Sequence, residues 1–326
     1  MPNGAAPTPQ FVESLLASPT DGTLALVFPG QGSQKVGMGR DVAESFGSAR
    51  EVFSLADSVL GTPISSICFA GPEEALTSTD NAQPAILAAS LAYLAAAVDA
   101  GALPGRPAYV AGHSLGEYTA LVAACSLTVR DALLLVRERG RLMAQAGETN
   151  PGAMAAILGL DEAAVKQICT ESGAEPANYN LPTQTVIGGA PALVVQAMEL
   201  AKQRGGKALP VKVSGAFHTS LMEPAATEFA RAIDDIAISP PGIPVMSNVT
   251  GRPLTSADDV RQDLREQIMK PVRWMQIVTF LTGAGITRFV EVGPGRILAN
   301  MLKRVAPEAD IRSIDSVEAL STISHV

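Results

Sequence analysis

Aromatic residues and cysteines are scarce in this chain of 326 residues. Aromatic side chains make up 4% of the sequence while hydrophobic residues make up 47%, so Ala, Leu, Val and Ile must form the core, as in α/β proteins with closely packed helices. The three cysteines, Cys68, Cys125 and Cys169, are far apart and odd in number. This pattern excludes a disulfide framework and the spacing of a zinc site, and it favours a reducing compartment.

Positive charge is also in short supply. The chain has 24 basic and 32 acidic residues, a net charge of −8, and no basic run, which excludes nucleic acid as a partner. Residues 1–22 lack the basic segment and apolar core of a secretory signal. No segment has the length and apolarity needed to span a membrane, and residues 87–98 predict a buried helix. We therefore expect a cytoplasmic protein without membrane contact.

Short apolar segments followed by glycine-rich turns and helical patterns predict a mostly parallel sheet. The predicted strands are residues 24–28, 109–111, 243–246 and 288–292. Alternation of such strands with helices places helices on both faces of the sheet. The fold class is therefore α/β, with a large α/β-hydrolase-like domain.

The middle of the chain has a different pattern. Strands at 153–158, 175–179, 184–188 and 207–213, with helices at 161–172 and 191–204, give the order β-α-β-β-α-β of a ferredoxin-like α+β unit. We predict that this small domain is inserted into the larger one. The expected division is an N-terminal arm at 1–22, the large domain at 23–148 and 215–326, and the small domain at 149–214.

A G-x-S-x-G motif follows the strand at 109–111 and precedes a helical pattern. In a nucleophile elbow, such a motif raises a serine at the carboxyl edge of the sheet, and the helix N-terminus behind it offers free N–H groups. Ser114 is thus the candidate nucleophile. The alternative is a glycine-rich turn that holds a serine by chance.

A serine nucleophile needs a base, and the chain has three histidines. His113 adjoins the serine and should point away, and His325 lies next to the C-terminus. His218 is therefore the candidate base, with a core histidine bonded to backbone as the alternative. No acid stands out as the group that orients this base. The acids considered are Asp234, Asp235 and Glu291.

An arginine lies in the centre of the apolar face of the helix predicted at 129–146. Arg139 shares this face with Ala132, Leu135, Val136, Leu142, Met143 and Ala146. A buried guanidinium must be paired or must face a cavity. One interpretation is an ion pair with Glu117, and the other is a fork that binds a substrate carboxylate.

The loop at 30–34 follows the first strand. Its spacing matches neither a dinucleotide-binding motif nor a P-loop. One N–H of this loop, together with that of Leu115, can form a two-donor oxyanion hole.

Together these motifs resemble those of malonyl-CoA:acyl carrier protein transacylases and of the related acyltransferase domains of polyketide synthases. The resemblance covers about residues 23–305. The matching motifs are FPGQGSQ at 28–34, GHSLGEY at 112–118, RG at 139–140, ANYN at 177–180, GAFH at 215–218 and EVGPG at 291–295.

The resemblance implies a role for each matching position. Ser114 carries the acyl ester, and His218 is general base and acid. The N–H groups of Gln31 and Leu115 form the oxyanion hole, and Arg139 holds the malonyl carboxylate.

Four further positions follow from the same resemblance. The backbone carbonyl of Gln267 orients the histidine, which accounts for the missing acid. His113, Asn180 and Phe217 line the site, and Phe217 before the histidine accompanies malonyl choice. No metal or redox cofactor is implied.

The implied partners are malonyl-CoA and an acyl carrier protein, and we expect a monomer that supplies fatty acid synthesis. Basic residues are candidates for docking the acidic carrier protein. They are Lys202, Arg204, Lys207, Lys270 and Arg273. The alternatives are a trans-acting acyltransferase of a polyketide pathway, a serine acyl hydrolase or thioesterase, and a non-catalytic scaffold that binds carrier proteins.

Overall fold

The computed structural model describes residues 9–323. In chain order the strands are β1 (Thr20–Phe28), β2 (Arg106–Gly112), β3 (Ala153–Leu158), β4 (Glu175–Leu181), β5 (Gln184–Gly189), β6 (Lys207–Val211), β7 (Val245–Met246), β8 (Pro253–Leu254), β9 (Arg288–Val292) and β10 (Asp310–Ile314). The helices are α1 (Gln10–Ala17), α2 (Arg40–Ser45), α3 (Gly47–Leu60), α4 (Ile64–Ala70), α5 (Glu73–Thr77), α6 (Thr79–Asp99), α7 (Gly116–Ala123), α8 (Val129–Thr149), α9 (Glu162–Ser172), α10 (Pro191–Gln203), α11 (Glu223–Asp234), α12 (Ala257–Gln267), α13 (Trp274–Gly283), α14 (Ile297–Val305) and α15 (Val317–Ile323).

Six strands form the large sheet, in the order β10-β9-β1-β2-β7-β8. All neighbours in it are parallel except β7 and β8. This confirms the predicted α/β fold with a mostly parallel sheet, and the bounds of β9 are those predicted. Two strands were missed. Strand β8 has only two residues, which is too short for a sequence pattern. Strand β10 is a half-buried edge strand whose polar residues Asp310, Arg312 and Ser313 interrupt any apolar run.

The sheet is covered on both faces by apolar side chains. Alternate residues of β1 belong to two different clusters, with Leu24, Leu26 and Phe28 in one and Ala25 and Val27 in the other. This alternation is what a strand buried on both faces requires. Because β1 and β2 are parallel neighbours, their carboxyl ends lie side by side. The loops that follow these two strands therefore meet at one edge of the sheet.

Helix α6 passes through the middle of the core. With 21 residues it is long and apolar enough to cross a membrane, so the prediction that no segment has this property was wrong. The apolar pattern begins before residue 87, since the helix continues upstream through Pro84. In this fold 89% of its most apolar window is buried inside the protein, as predicted for a core helix.

Four antiparallel strands form the small sheet, in the order β4-β5-β3-β6. With α9 and α10 this is the predicted ferredoxin-like arrangement, which lies within residues 149–214. The bounds of β3 are those predicted. Strand β4 is joined to the rest of the protein by two backbone hydrogen bonds, from Tyr179 to Val272 (2.8 Å) and from Val272 to Ala177 (2.9 Å). The other edge of the small sheet is β6, whose last residue, Val211, lines a cavity.

The predicted N-terminal arm is partly described. Residues 1–8 lie outside the described residues. Helix α1 buries Phe11, Val12 and Leu15, and β1 begins at Thr20, before the predicted start. Residues 10–17 are thus packed on the core, and the proposed division into 1–22, 23–148, 149–214 and 215–326 stays a prediction.

Candidate active site

The nucleophile elbow lies between β2 and α7. Ser114 has a positive φ of 51°, a conformation that L-residues adopt rarely and mostly at functional turns. A Cβ at Gly112 would lie 1.9 Å from the carbonyl carbon of Gly116, and one at Gly116 would lie 2.1 Å from the oxygen of Phe28. Only glycine fits at either position, so the motif is dictated by the turn.

Asn248, in the loop after β7, fixes this turn from behind. Its Oδ1 accepts the Ser114 N–H (2.7 Å), and its Nδ2 donates to the oxygen of Gly112 (2.7 Å). Sequence analysis did not identify Asn248. The available clue was its place just after a predicted strand, at the sheet edge that carries the serine.

Ser114 and His218 form a hydrogen-bonded pair. The distance from Ser114 Oγ to His218 Nε2 is 2.7 Å. His218 Nδ1 faces two carbonyl oxygens, Gln267 O at 2.8 Å and Lys270 O at 3.1 Å. Since carbonyls only accept, the proton sits on Nδ1, and Nε2 is free to accept from the serine hydroxyl. Burial, and then the charge of Arg139, lowers the pKa of His218 to about 3, so the ring is neutral at physiological pH.

The acids considered as a third triad member act elsewhere. Glu291 accepts the N–H groups of Leu298 (3.1 Å) and Ala299 (2.7 Å), which caps α14. Asp234 pairs with Arg265 on the surface, and Asp235 is exposed. The structure instead has the backbone carbonyl of Gln267 at the histidine, where the family resemblance implies it.

Arg139 on α8 is buried, with 1% of its surface exposed. Its Nη1 donates to Gln83 Oε1 (2.7 Å), and its Nη2 donates to Ser114 Oγ (3.0 Å) and Gln267 Oε1 (2.9 Å). No carboxylate among residues 9–323 forms a salt bridge with it. The alternative ion pair with Glu117 is not made, because the Gln267 amide stands between them and donates to Glu117 Oε2 (2.6 Å). A buried cation without an anion is costly, so this guanidinium is a candidate site for an anion.

Gln83 also escaped sequence analysis, although it fixes Arg139. It lies on the apolar helix α6 and is fully buried. A polar side chain in such a helix was the clue that could have identified it.

Two backbone donors lie beside the serine. Within the described part of the chain, the N–H groups of Gln31 and Leu115 have no acceptor, whereas that of Ser114 is taken by Asn248. Gly30 brings the first loop close to the elbow, since a Cβ there would lie 2.3 Å from the oxygen of His113. The pair fits the oxyanion hole expected from the sequence.

The site opens into a cavity of about 530 Å³ between the two sheets. Its apolar lining consists of Met143, Met154, Val186, Val211, Val213 and Phe217. Phe217 and His113 also line it. Asn180 does not, because it lies behind His113 and accepts from His113 Nε2 (2.9 Å), while Asn178 of the same strand lines the cavity.

The proposed docking cations differ in their surroundings. Lys202 pairs with Glu199, Arg204 pairs with Glu171, and Arg273 donates to the oxygen of Val249. Lys207 and Lys270 are exposed. Lys212, which sequence analysis did not single out, is exposed, lines the cavity and has no ionic partner within residues 9–323.

Comparisons with known proteins agree with this geometry. The family of acyl transferase domains matches residues 25–321. The malonyl CoA-acyl carrier protein transacylase of Bacillus subtilis is 44% identical over 288 residues, which cover 86% of this chain and 90% of that protein. The crystal structure of FabD from Acinetobacter baumannii superposes with a TM-score of 0.87 at 43% identity, covering 92% of this chain and 96% of that one.

A further similar structure holds a type II polyketide synthase acyl-carrier protein in complex with its malonyl-transacylase. It has a TM-score of 0.88 and 38% identity, and it covers 92% of this chain and 98% of that one. These similarities confirm the family that the sequence motifs predicted.

Proposed function

The chain belongs to the acyl transferase family, and we propose that it transfers a malonyl group from malonyl-CoA to the phosphopantetheine thiol of an acyl carrier protein. The transfer proceeds through a malonyl ester on Ser114 with ping-pong kinetics and supplies fatty acid synthesis. The names of the relatives from Bacillus subtilis and Acinetobacter baumannii support the substrate and the acceptor. Cytoplasmic location and a monomeric state stay predictions from the sequence.

The observation that carries this proposal is the buried Arg139, which contacts the nucleophile but no carboxylate among residues 9–323. A malonyl group on Ser114 would bring its free carboxylate to the guanidinium, which can bind both oxygens. An acetyl group would leave the cation desolvated and unpaired, at a cost of about 2–5 kcal/mol. The site therefore selects malonyl over acetyl.

The first half-reaction forms the ester. His218 Nε2 accepts the proton of Ser114 Oγ, and the oxygen attacks the thioester carbonyl. The N–H groups of Gln31 and Leu115 stabilise the oxyanion, and each such donor contributes about 10²–10³-fold. The carbon–sulfur bond then breaks, and the CoA thiolate takes the proton from His218.

The second half-reaction reverses these roles. The phosphopantetheine thiol gives its proton to His218, and its sulfur attacks the ester carbonyl. The carbon–oxygen bond breaks, and Ser114 Oγ takes the proton back. The carbonyl oxygens at His218 Nδ1 keep the ring in the tautomer that both steps need.

A polyketide pathway is the second candidate destination of the malonyl group. It is favoured by the similar structure in which a malonyl-transacylase is bound to a type II polyketide carrier protein. The residues of the site are the same for both destinations, so carrier-protein preference separates them. A hydrolase or thioesterase that acts on acyl groups without a free carboxylate does not need a buried arginine such as Arg139 beside the nucleophile.

Intact-mass measurement after brief incubation with malonyl-CoA tests the proposal. We expect a malonyl adduct on the wild type, none on Ser114→Ala, and transfer of the adduct to a holo-acyl carrier protein. Equal adducts from malonyl-CoA and acetyl-CoA, with water as the only acceptor, would contradict the proposal and favour a hydrolase.

A further inference from the structure

Gln267 is hydrogen-bonded to the side chains of His218 and Arg139 and to the backbone of Ser114. Its backbone oxygen accepts from His218, and its Oε1 accepts from Arg139. Its Nε2 donates to the backbone oxygen of Ser114 (2.9 Å) and to Glu117 Oε2 (2.6 Å). The Gln267 amide cannot adopt the flipped orientation, because Arg139 has only hydrogen-bond donors and must face Oε1. The Nε2 group must therefore find an acceptor at Glu117.

Glu117 is fully buried in the first turn of α7. Besides the Gln267 amide, it accepts the N–H of Asn248 at Oε1 (3.1 Å). A second buried carboxyl group, Asp263 of α12, lies beside it, since the consecutive residues Ser247 and Asn248 donate to Asp263 and to Glu117 respectively. Asp263 Oδ1 accepts from Ser247 Oγ, and the backbone N–H of Val249 also acts on this carboxyl group, while the buried Oδ2 forms no hydrogen bond with the described residues.

Two neighbouring carboxyl groups in a buried site cannot both be charged, and a proton on Glu117 would supply a donor for the unbonded Oδ2 of Asp263. Burial, and then the charge of Asp263, raises the pKa of Glu117 well above its usual range, in agreement with this arrangement. The other titratable groups that act on the pair are Arg139, Tyr118 and Glu266.

We propose that Glu117 and Asp263 share one proton, and that this pair holds the Gln267 amide in the orientation that positions Arg139 for the substrate carboxylate. Glu117, Asp263 and the Gln267 side chain are then positioning residues for selectivity. This role rests on the proposed function, whereas the shared proton does not. The pair also keeps one negative charge near Arg139 without placing a carboxylate in contact with it.

Infrared difference spectra test the shared proton. They are recorded at about pH 8.5, because burial raises the pKa of Glu291 to about 7 and that group must be ionised. Wild type minus Glu117→Gln should show the carbonyl band of a protonated carboxyl. Wild type minus Asp263→Asn should show the same band, since the amide introduced by that substitution would donate to an ionised Glu117. Absence of the band from either difference overturns the proposal.

Single-turnover acylation of Ser114 by malonyl-CoA and acetyl-CoA tests the positioning. Gln267→Leu keeps the backbone carbonyl at His218 but loses every side-chain bond, so the malonyl-to-acetyl ratio should fall by about 10–100-fold. Asp263→Asn should keep that ratio within about threefold of the wild type, whereas Asp263→Leu should lower it by about 10-fold.

The outcomes separate the two proposals. An unchanged ratio in Gln267→Leu, or equal losses in Asp263→Asn and Asp263→Leu, contradicts the positioning role. If Asp263→Leu does not fold, the malonyl-to-acetyl ratio of Gln267→Leu still tests the positioning role, and the infrared bands still test the shared proton. If the wild type forms no malonyl adduct, the proposed function fails, while the infrared result stands by itself.

Discussion

The two walls of the cleft are built in different ways. On the side of the large sheet, Ser114, His218 and Arg139 are held by hydrogen bonds to one another and to Gln83 and Gln267, and no anion among residues 9–323 contacts the arginine. On the side of the small sheet, the lining is mostly apolar and ends in the exposed Lys212. From this difference we expect the first wall to perform the chemistry and select the acyl group, and the second wall to receive the phosphopantetheine arm of the carrier protein.

Ser114→Ala should have the largest effect, because in the described part of the chain Ser114 is the one side chain hydrogen-bonded to His218 Nε2. We expect malonyl transfer to fall by at least about 10⁴-fold, with no covalent adduct in intact-mass spectra. Ser54→Ala, on an exposed face of α3, is the matched control and should retain wild-type activity. An adduct on the Ser114→Ala variant would show that another residue is the nucleophile. It would contradict the assignment of the chemistry to the wall formed by the large sheet.

Arg139→Ala should come next. Malonyl loading should fall by about 10²–10³-fold, and acetyl loading should rise relative to it, because the cavity loses a cation that only a carboxylate can pair. The measurement is the ratio of kcat/KM for malonyl-CoA and acetyl-CoA.

The control for this variant is Arg141→Ala on the exposed side of the same helix, where Arg141 pairs with Glu138. It should leave the ratio unchanged. If Arg139→Ala also leaves the ratio unchanged, the guanidinium is not the selective group.

The first wall also determines the charge of the base. Burial lowers the pKa of His218, and Arg139 is the second cause, so removal of the cation should raise this pKa from about 3 toward the ordinary 6.5 without reaching it. The acid limb of the rate should therefore move to higher pH in Arg139→Ala.

Nuclear magnetic resonance titration of the histidine rings measures this shift. The chain has three histidines, so a His113→Gln variant identifies one ring directly. A His218 pKa that does not respond to Arg139→Ala would show that the two groups are electrically independent.

The parts of the molecule that sequence analysis found are those with a local pattern. The predicted first and last residues of β3 and β9 agree with the structure, because glycine-rich or polar segments flank both strands. Ser114 and Arg139 were found because a turn and a helical face each involve only a few neighbouring residues. The family resemblance, and not the spacing, supplied Gln267.

The parts that were missed depend on contacts between distant segments. Gln83 is 56 residues from Arg139, and Asn248 is 134 residues from Ser114, so neither has a pattern near its partner. Asn180 was placed on the cavity surface because its motif matched. Asn178 and Asn180 are two positions apart and would share a face in a regular strand, but the pairing of β4 with β5 is irregular between Pro176 and Asn178 and between Tyr179 and Leu181, which a local motif does not predict.

The smallest effect is expected at the second wall. Lys212 lies at the mouth of the cavity, exposed and without an ionic partner within residues 9–323, so its charge is available to an acidic carrier protein. Lys212→Glu should raise the KM for the carrier protein by about 3–10-fold, more at low salt than at high salt, since exposed charges are screened. Lys303→Glu, exposed on α14, makes the same change in net charge away from the cleft and should have no such effect. If Lys212→Glu instead lowers the rate of Ser114 acylation and leaves the carrier KM unchanged, the small-sheet wall serves the donor, and the two walls share the chemistry.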